Sequence, residues 1–407
     1  IVGLFSMGIG GEVDTTLLKR MNHEQRHRGP DGDGIFVDDG IGLGHTRLSI
    51  IDIASGHQPL FNEDDSVVVT YNGEIYNFPE LMAELQKLGH RFKTRCDTEV
   101  IVHAWEEWGE ACVRRFRGMF AFAVWDSNQQ VLFIARDRLG IKPLFYTLLK
   151  DGSFAFSSEL KALKVLPALS RKLDHTSIQD YFSFGYIPEP KTIYQSTYKM
   201  CPGHTLTLRR NRNLPQQKPY WDLRFGDPIA ISDEDAEGEL VSRLKEAVNI
   251  RMMSEVPLGA FLSGGVDSGA VVAMMAEHSE SPVNTCSIGF DVDSFDESNY
   301  AKQVAERYQT NHFEQTVASD DFSLVDKLSL LYDEPYADSS AIPTYRVCQL
   351  AKGQVTVALS GDGGDEHLAG YRRYCWHMNE ERLRGRIPLG VRQRVFGPLG
   401  RLYPKAD

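Results

Sequence analysis

One change of character divides the chain and constrains how it can fold. Residues 209–235 are polar and punctuated by prolines, in Arg209-Arg-Asn-Arg-Asn-Leu-Pro215 and Gly226-Asp-Pro228, and read as a linker. Before them the signal is mostly strand. Phe120–Trp125, a turn over Asp126–Gln130 and Val131–Ile134 read as strand, turn, strand, with further strands over Ile35–Val37, Leu43–Ile51, Ser66–Tyr71 and Phe154–Ser157. One helix is expected to start at an Asn77 cap with Glu80 three residues on and to stop at Gly89; another spans Thr98–Trp108. This pattern predicts an α+β unit of antiparallel sheets with helices on their outer faces.

After the linker, Leu240, Leu244 and Val248 mark one face of a helix, and then strand and helix alternate. The strands are Pro257–Leu262, Val283–Phe290, Asn311–Val317 and Gln354–Leu359; the helices are Ser268–Glu277, Glu297–Tyr308, Asp320–Leu331 and Ile342–Lys352. Alternation of this kind predicts an α/β parallel sheet covered on both faces. The expected division is therefore 1–208, a linker over 209–235, and 236–407, which suits a length of 407 residues.

Charge and cysteine content exclude several classes. Against 56 acidic residues stand 44 Lys and Arg, a net charge of -12, and such a field repels nucleic acid and anionic membranes. No apolar run approaches the roughly 20 residues that span a bilayer. Ile1-Val2-Gly3-Leu4-Phe5 lacks the basic start of a signal peptide. None of the six cysteines forms a C-x-x-C pair, which argues against a zinc site or a thioredoxin motif. Reduced, mostly buried thiols in a cytoplasmic protein are expected.

The strongest chemical signal is Ser263-Gly-Gly-Val-Asp-Ser268, which leaves an apolar strand and opens a helix. Its glycines let the backbone close around an anion, the helix N-terminus offers free N–H groups, and Ser263 and Ser268 add hydroxyls. Asp267 belongs beside a phosphate only if it holds a metal ion bridging the two. The sequence has no Gly-Lys-Ser/Thr, so this is not a Walker loop. A second Gly-rich loop, Leu359-Ser-Gly-Asp-Gly-Gly-Asp-Glu366, carries three carboxylates. In a doubly wound sheet both loops face one crevice beyond the strand ends, where Asp365 would hold a metal or a cationic group. The plainer readings are a tight strand-to-helix turn and an acidic solvated turn.

In the first half, His27-Arg-Gly-Pro-Asp31, Gly44-His-Thr-Arg-Leu-Ser-Ile-Ile-Asp52 and Asn72-Gly-Glu-Ile-Tyr-Asn77 stand out. The Arg47 guanidinium can clamp a carboxylate with two parallel bonds, or serve a structural salt bridge. Asn72 and Gly73 can form an oxyanion hole, or a type I′ turn.

Taken in order, Arg28-Gly29-Pro30-Asp31, Arg47-Leu48-Ser49-Ile50, Asn72-Gly73-Glu74-Ile75-Tyr76-Asn77, Asp97, Arg136-Asp137-Arg138 and the two later loops resemble the glutamine-hydrolysing asparagine synthetases, which are class II amidotransferases. The loop Ser360–Glu366 also resembles amidotransferases found with exopolysaccharide or exosortase systems. The resemblance implies an N-terminal-nucleophile glutaminase, an αββα sandwich, followed by an ATP-pyrophosphatase domain. It implies adenylation of the aspartate side chain by ATP and amidation by ammonia released from glutamine, which passes between the domains.

Carried onto this chain, the resemblance gives glutamine to Arg47, Leu48, Ser49, Ile50, Ile51, Asn72, Gly73, Glu74 and Asp97. Within that set Arg47 takes the α-carboxylate, Glu74 and Asp97 the α-amino end, and Asn72 and Gly73 the oxyanion. ATP falls to Leu262, Ser263, Gly264, Gly265, Asp267, Ser268, Ile288, Ser360 and Gly361, with Mg2+ on Asp267 and Asp365. Oligomeric state is left open, a homodimer included.

Three departures from the family pattern accompany these implications. The family opens Cys-Gly-Ile-x-Gly, so the nucleophilic cysteine is expected just before Ile1, outside the chain. The synthetase domain is expected to continue past Arg382–Asp407 to a catalytic lysine, which makes this one incomplete at its C-terminus. Asp362, which would face the activated intermediate, stands where asparagine synthetases tend to carry Glu. Its shorter reach, by roughly 1.5 Å, leaves room for a bulkier acceptor than aspartate, such as a carboxylate of a surface polysaccharide. An ammonia-only ligase with a vestigial glutaminase is the other alternative.

Overall fold

The computed structural model describes residues 1–8, 11–212, 216–226, 229–292, 294, 296–318 and 322–402. The linker prolines Pro215 and Pro228, and the expected helix start at Asp320, lie outside them. In the first part the strands are β1 (Val2–Ser6), β2 (Gly32–Asp38), β3 (Ile41–Arg47), β4 (Leu60–Phe61), β5 (Val67–Ile75), β6 (Gly118–Asp126), β7 (Val131–Arg136), β8 (Phe145–Leu148), β9 (Ser153–Ser157), β10 (Thr197–Lys199), β11 (His204–Arg209) and β12 (Lys218–Pro219). Its helices are α1 (Thr15–Glu24), α2 (Phe78–Leu88), α3 (Asp97–Trp108), α4 (Leu160–Leu163) and α5 (His175–Phe184).

Two antiparallel sheets result, ordered β10-β8-β9-β1-β3-β2 and β12-β11-β7-β6-β5-β4. Alternation along single strands shows how they stack. On β5, Val68 faces the other sheet with Phe5, Leu43 and Trp125, while Val67, Val69 and Tyr71 pack under α2 and α3. On β1, Phe5 faces inward, and Val2 and Leu4 meet α1 and α4. The unit is the expected αββα sandwich. Strands covered on both faces need no polar positions, and β7 is buried throughout.

Two local expectations change. The strand expected over Leu43–Ile51 ends at Arg47. Beyond it, the Ser49 N–H donates to Asp31 rather than to a neighbouring strand, and Arg47 gathers the carbonyls of Ile51, Asp52 and Ile53. Asn77 precedes α2, but its side chain does not cap it. It accepts from Arg117 N and donates to Arg115 O, which ties the helix start to the approach of β6.

The second part holds α6 (Asp233–Asn249), β13 (Leu258–Phe261), α7 (Val266–His278), β14 (Asn284–Phe290), α8 (Ser298–Arg307), β15 (Asn311–Val317), α9 (Val325–Leu331), α10 (Ala341–Lys352), β16 (Val357–Leu359), α11 (Gly364–Leu368), α12 (Arg372–Gly385) and α13 (Leu389–Leu402). The sheet is parallel, in the order β15-β14-β13-β16. Ala260 packs with α7 and α8, and the adjacent Phe261 packs with α10, so both faces are covered. Of the expected α6 stripe, Val248 is buried while Leu240 stays exposed.

The two parts touch directly. Glu255 N donates to Ile50 O (3.1 Å), Lys199 pairs with Glu334 (2.6 Å), and Arg251 lies over the Tyr76 ring. Among the described residues no helix is long and apolar enough to cross a membrane. All six cysteines are free, but only Cys96, Cys112 and Cys286 are buried. Cys348 and Cys375 are exposed because α10 and α12 leave those faces uncovered.

Candidate active site

The first cavity, of about 200 Å³, opens at the rim of the sandwich where β3, β5 and α3 converge. Arg47 comes from the last residue of β3, Asn72, Gly73 and Glu74 from the end of β5, and Asp97 from the first turn of α3. Leu48, Ile50 and Ile51 complete this wall, and Ile1 and Lys142 stand in it too. Ser49 does not line it. Asn72 and Gly73 do not follow a strand or make a turn, because they sit inside β5, paired with Ala121 and Phe120 of β6.

Each side chain is held in a way that bears on its chemistry. Arg47 is 8 % exposed and donates to the carbonyls of Ile53 (3.0 Å), Asp52 (2.7 Å) and Ile51 (3.4 Å). A guanidinium has five N–H donors, so these bonds fix its plane without exhausting it. The Asn72 Nδ2 group is buried and has no hydrogen-bond partner, a donor left for something that enters the cavity. Asp97 accepts from Tyr71 Oη (2.6 Å) and Ile75 N (2.9 Å). Burial pushes the Asp97 carboxyl up, and burial together with the Asp97 charge pushes Glu74 well above the carboxylate range. Two such groups with one shared environment favour a cation between them.

Sequence reasoning assigned no role to His45, Gln58, Tyr71 or Lys142, all of which line the cavity. His45 belongs to the Gly44–Asp52 motif, and its buried Nδ1 has no partner. Lys142 had no local signal. It is placed by Asp137, whose carboxylate accepts from the N–H groups of Phe120, Leu139, Ile141 and Lys142. The Arg136-Asp137-Arg138 motif is thus scaffold for that wall.

A second cavity of about 890 Å³ shares Arg28, His45, Arg47, Leu48 and Gln58 with the first. Its far wall is Val256, Phe261, Val355 and Ala358, from the β13 and β16 region of the parallel sheet.

The two glycine-rich loops leave the ends of β13 and β16, which are neighbours in the sheet and flank the point where strand order reverses. Leu262 is buried. Ser263 N donates to Ser268 Oγ (3.2 Å), and the two hydroxyls lie 3.0 Å apart. Gly264 has φ +85°, and a side chain there would strike the Ala301 nitrogen and the Tyr300 Cβ, both at 2.6 Å. Gly265 caps α7 without a side-chain bond, leaving the first-turn N–H groups to a ligand. The second loop closes onto the first: a side chain at Gly361 would come within 2.7 Å of Ser268 N, and one at Gly364 would collide with the Asp267 carboxylate. Ser360 Oγ accepts from Asp362 N (3.0 Å), and the Asp362 side chain is exposed. Asp365 stands in the first turn of α11 with one oxygen against Gly370. Ile288 is on β14, the next strand over. The two loops expected to face one crevice therefore lie side by side at the ends of neighbouring strands.

Carboxylates at the first turns of two helices, beside a backbone cradle that suits phosphate, fit a hard divalent cation held by oxygen. Asp267 meets that description fully, lying against the second loop.

Residues 1–221 match the glutamine amidotransferase domain family, and residues 239–405 match the asparagine synthase family. A Methanocaldococcus jannaschii protein, provisionally named a glutamine-hydrolysing asparagine synthetase 2, is 40% identical over 398 residues, 92% of this chain and 75% of that protein. Asparagine synthetase [glutamine-hydrolyzing] 1 of Bacillus subtilis is 39% identical over 381 residues, 93% of this chain and 59% of that protein. The match thus spans 75% of the length of the first of these relatives and 59% of the second. With both halves matched in one order and at this level of identity, the chain belongs to the glutamine-hydrolysing asparagine synthetase family.

Proposed function

We propose that the protein amidates a carboxylate at the expense of ATP, with ammonia drawn from glutamine, and that aspartate is the carboxylate. The observation that carries this reading is the shared wall of the two cavities. A site with an unpartnered Asn72 donor shares His45, Arg47 and Gln58 with a space bounded by the parallel sheet. That space offers ammonia a route between the domains, 1–208 and 236–407, joined over 209–235. The relatives' names are the second support.

In the first cavity the free face of the Arg47 fork binds the α-carboxylate of glutamine, and Glu74 and Asp97 take the α-ammonium. Asn72 Nδ2 donates to the carbonyl oxygen as negative charge develops there, with Gly73 N–H as its companion. Ile50 and Ile51 shape the wall, and Ser49 acts at one remove through its bond to Asp31.

In the second site Leu262 and Ile288 flank the adenosine, the Ser263–Ser268 loop takes the pyrophosphate, and Ser360 and Gly361 touch the AMP part. Asp267 and Asp365 would hold Mg2+, which neutralises phosphate charge when bound. Asp362 faces the activated acceptor. We place the reaction in the cytoplasm, where ATP and reduced thiols coexist.

The test is pyrophosphate release by the full-length protein with ATP, Mg2+ and a panel of acceptors, with glutamine or with ammonia. Release that requires aspartate and is supported by glutamine is expected. Release with ammonia alone would favour a vestigial glutaminase. A uronic acid outcompeting aspartate would assign the acceptor elsewhere, and Asp362→Glu should then restore preference for aspartate.

A further inference from the structure

A cluster outside both sites has the makings of a metal centre. Glu63 sits in the turn after β4, His90 follows the end of α2, and His103 and Glu106 are one turn apart on α3. Each offers one nitrogen or carboxylate oxygen, and all four atoms lie within 4.8 Å of one another. We propose that Glu63, His90, His103 and Glu106 bind a single zinc ion.

Distances support the assignment. A tetrahedral ion with ligands at about 2.1 Å sets its ligand atoms roughly 3.4 Å apart. His103 Nδ1 is 3.4 Å from Glu63 Oε2 and 3.2 Å from Glu106 Oε2, and His90 Nδ1 is 3.8 Å from Glu106 Oε2. Closing the cluster on an ion requires side-chain shifts and no new backbone path.

The surroundings orient each ligand. The Oε1 atom of Glu63 accepts from Arg91 N (2.8 Å), and that of Glu106 accepts from Asn62 Nδ2 (2.7 Å), so in both residues it is Oε2 that turns to the cluster. The outer nitrogen of each imidazole also faces a carboxylate. His103 Nε2 is 3.6 Å from Glu99, and His90 Nε2 is 3.5 Å from Glu107. Among the described residues His103 Nε2 has no hydrogen-bond partner, and a short side-chain shift would let it donate to Glu99, the outer carboxylate that a metal-bound histidine usually has, which would leave Nδ1 its lone pair. Glu99 is itself held by Lys93 N, Thr94 N and Thr94 Oγ1. His103 is completely buried, while Glu63 and Glu106 are a third exposed or nearly so, which leaves an entry path.

Four carboxylates around two imidazoles leave an excess of negative charge that a divalent cation offsets. Imidazole nitrogens with carboxylates suit zinc better than magnesium or calcium, which prefer oxygen alone. Cysteine spacing gave no hint of this site, because its ligands are histidine and glutamate from three separate elements.

The test is calorimetric titration of the metal-stripped full chain with Zn2+, and with Mg2+ as control, followed by zinc-edge X-ray absorption. One zinc per chain with two imidazoles in its shell is expected, with no comparable Mg2+ binding. Glu63→Gln and His90→Gln, both at the accessible side of the cluster, should each weaken zinc binding by at least about tenfold while the circular dichroism spectrum is unchanged. Absence of stoichiometric binding would overturn the proposal and leave an ion-pair network. So would zinc affinity indifferent to both substitutions, which would place the ion elsewhere, for instance on the exposed Cys348 or Cys375.

Discussion

The two sites differ in how they are made. The cavity proposed for glutamine is enclosed by one sandwich, and most of its polar groups are already in place: Arg47 by three carbonyls, Asp97 by Tyr71 and Ile75, the Lys142 wall by Asp137. The site proposed for the nucleotide is two short loops on a four-stranded sheet. Its order comes from loop-on-loop contact, with Gly361 and Gly364 against Ser268 and Asp267, and Val266 at its mouth is 83 % exposed. The α12 segment beyond it buries none of its residues. A rigid scaffold suits the site that must stabilise charge at one fixed oxygen. A looser one suits the site that must close around a nucleotide and an acceptor.

The contrast can be broken at both ends. The largest effect is expected from Asp267→Asn, because a neutral amide replaces a carboxylate on the metal. Pyrophosphate release should fall by about three orders of magnitude, corresponding to several kcal/mol of lost charge stabilisation. Glutamine hydrolysis by the full-length protein should persist. Near-normal release would remove Asp267 from the metal.

Next comes Asn72→Ala, which deletes the unpartnered donor. Glutamine turnover should drop by roughly 10²–10³ in kcat with ammonia-dependent release intact. A loss confined to KM would recast Asn72 as a binding residue.

Arg47→Lys should weaken glutamine binding by about tenfold, since Lys lacks the planar fork. Because Arg47 also clamps the 51–53 loop, hydrogen exchange there should quicken, a change that a purely ligand-binding arginine would not cause.

The smallest effect concerns stability. The folded pKa of Glu74 lies above its ordinary value of 4.5, so the native state holds this proton more tightly than the unfolded chain. Stability from this group is therefore present in acid and is lost as pH rises from that value toward the folded pKa. Glu74→Gln should raise the midpoint of thermal unfolding by roughly 2–4 °C at pH 8 and by less at pH 5, read by scanning fluorimetry. An equal gain at both pH values would mean that the effect is not electrostatic.

Much of this was legible in the sequence, and the failures are instructive. The parallel sheet was readable nearly strand for strand, since buried parallel strands are short apolar runs bounded by Gly-rich loops, as at Leu258–Phe261 and Val357–Leu359. β1 and α1 were missed, although Val2 and Leu4 alternate cleanly with Phe5, because five residues at a terminus give a short window. The glutamine cavity was legible where motifs are contiguous. It was opaque where the fold supplies a residue from afar: Lys142 is delivered by a turn that only the Asp137 bonds define, and Gln58 by its bond to Tyr71 N. The cap at Asn77 failed because its side chain had a better offer from Arg115 and Arg117, close in space yet some forty positions away.

If glutamine binds as proposed, the buried pair of Glu74 and Asp97 would make its capture a proton-exchange event. With no cation between them, the pair keeps at least one proton that water would have taken at neutral pH. An arriving α-ammonium supplies the missing positive charge and expels that proton to solvent. Binding heats measured in buffers of different ionisation enthalpy would then diverge, and affinity would climb with alkalinity until the ligand's own amine begins to discharge. On this reading the cavity would sense glutamine partly through its charge state, and a neutral amide of the same size would leave the shared proton where it is.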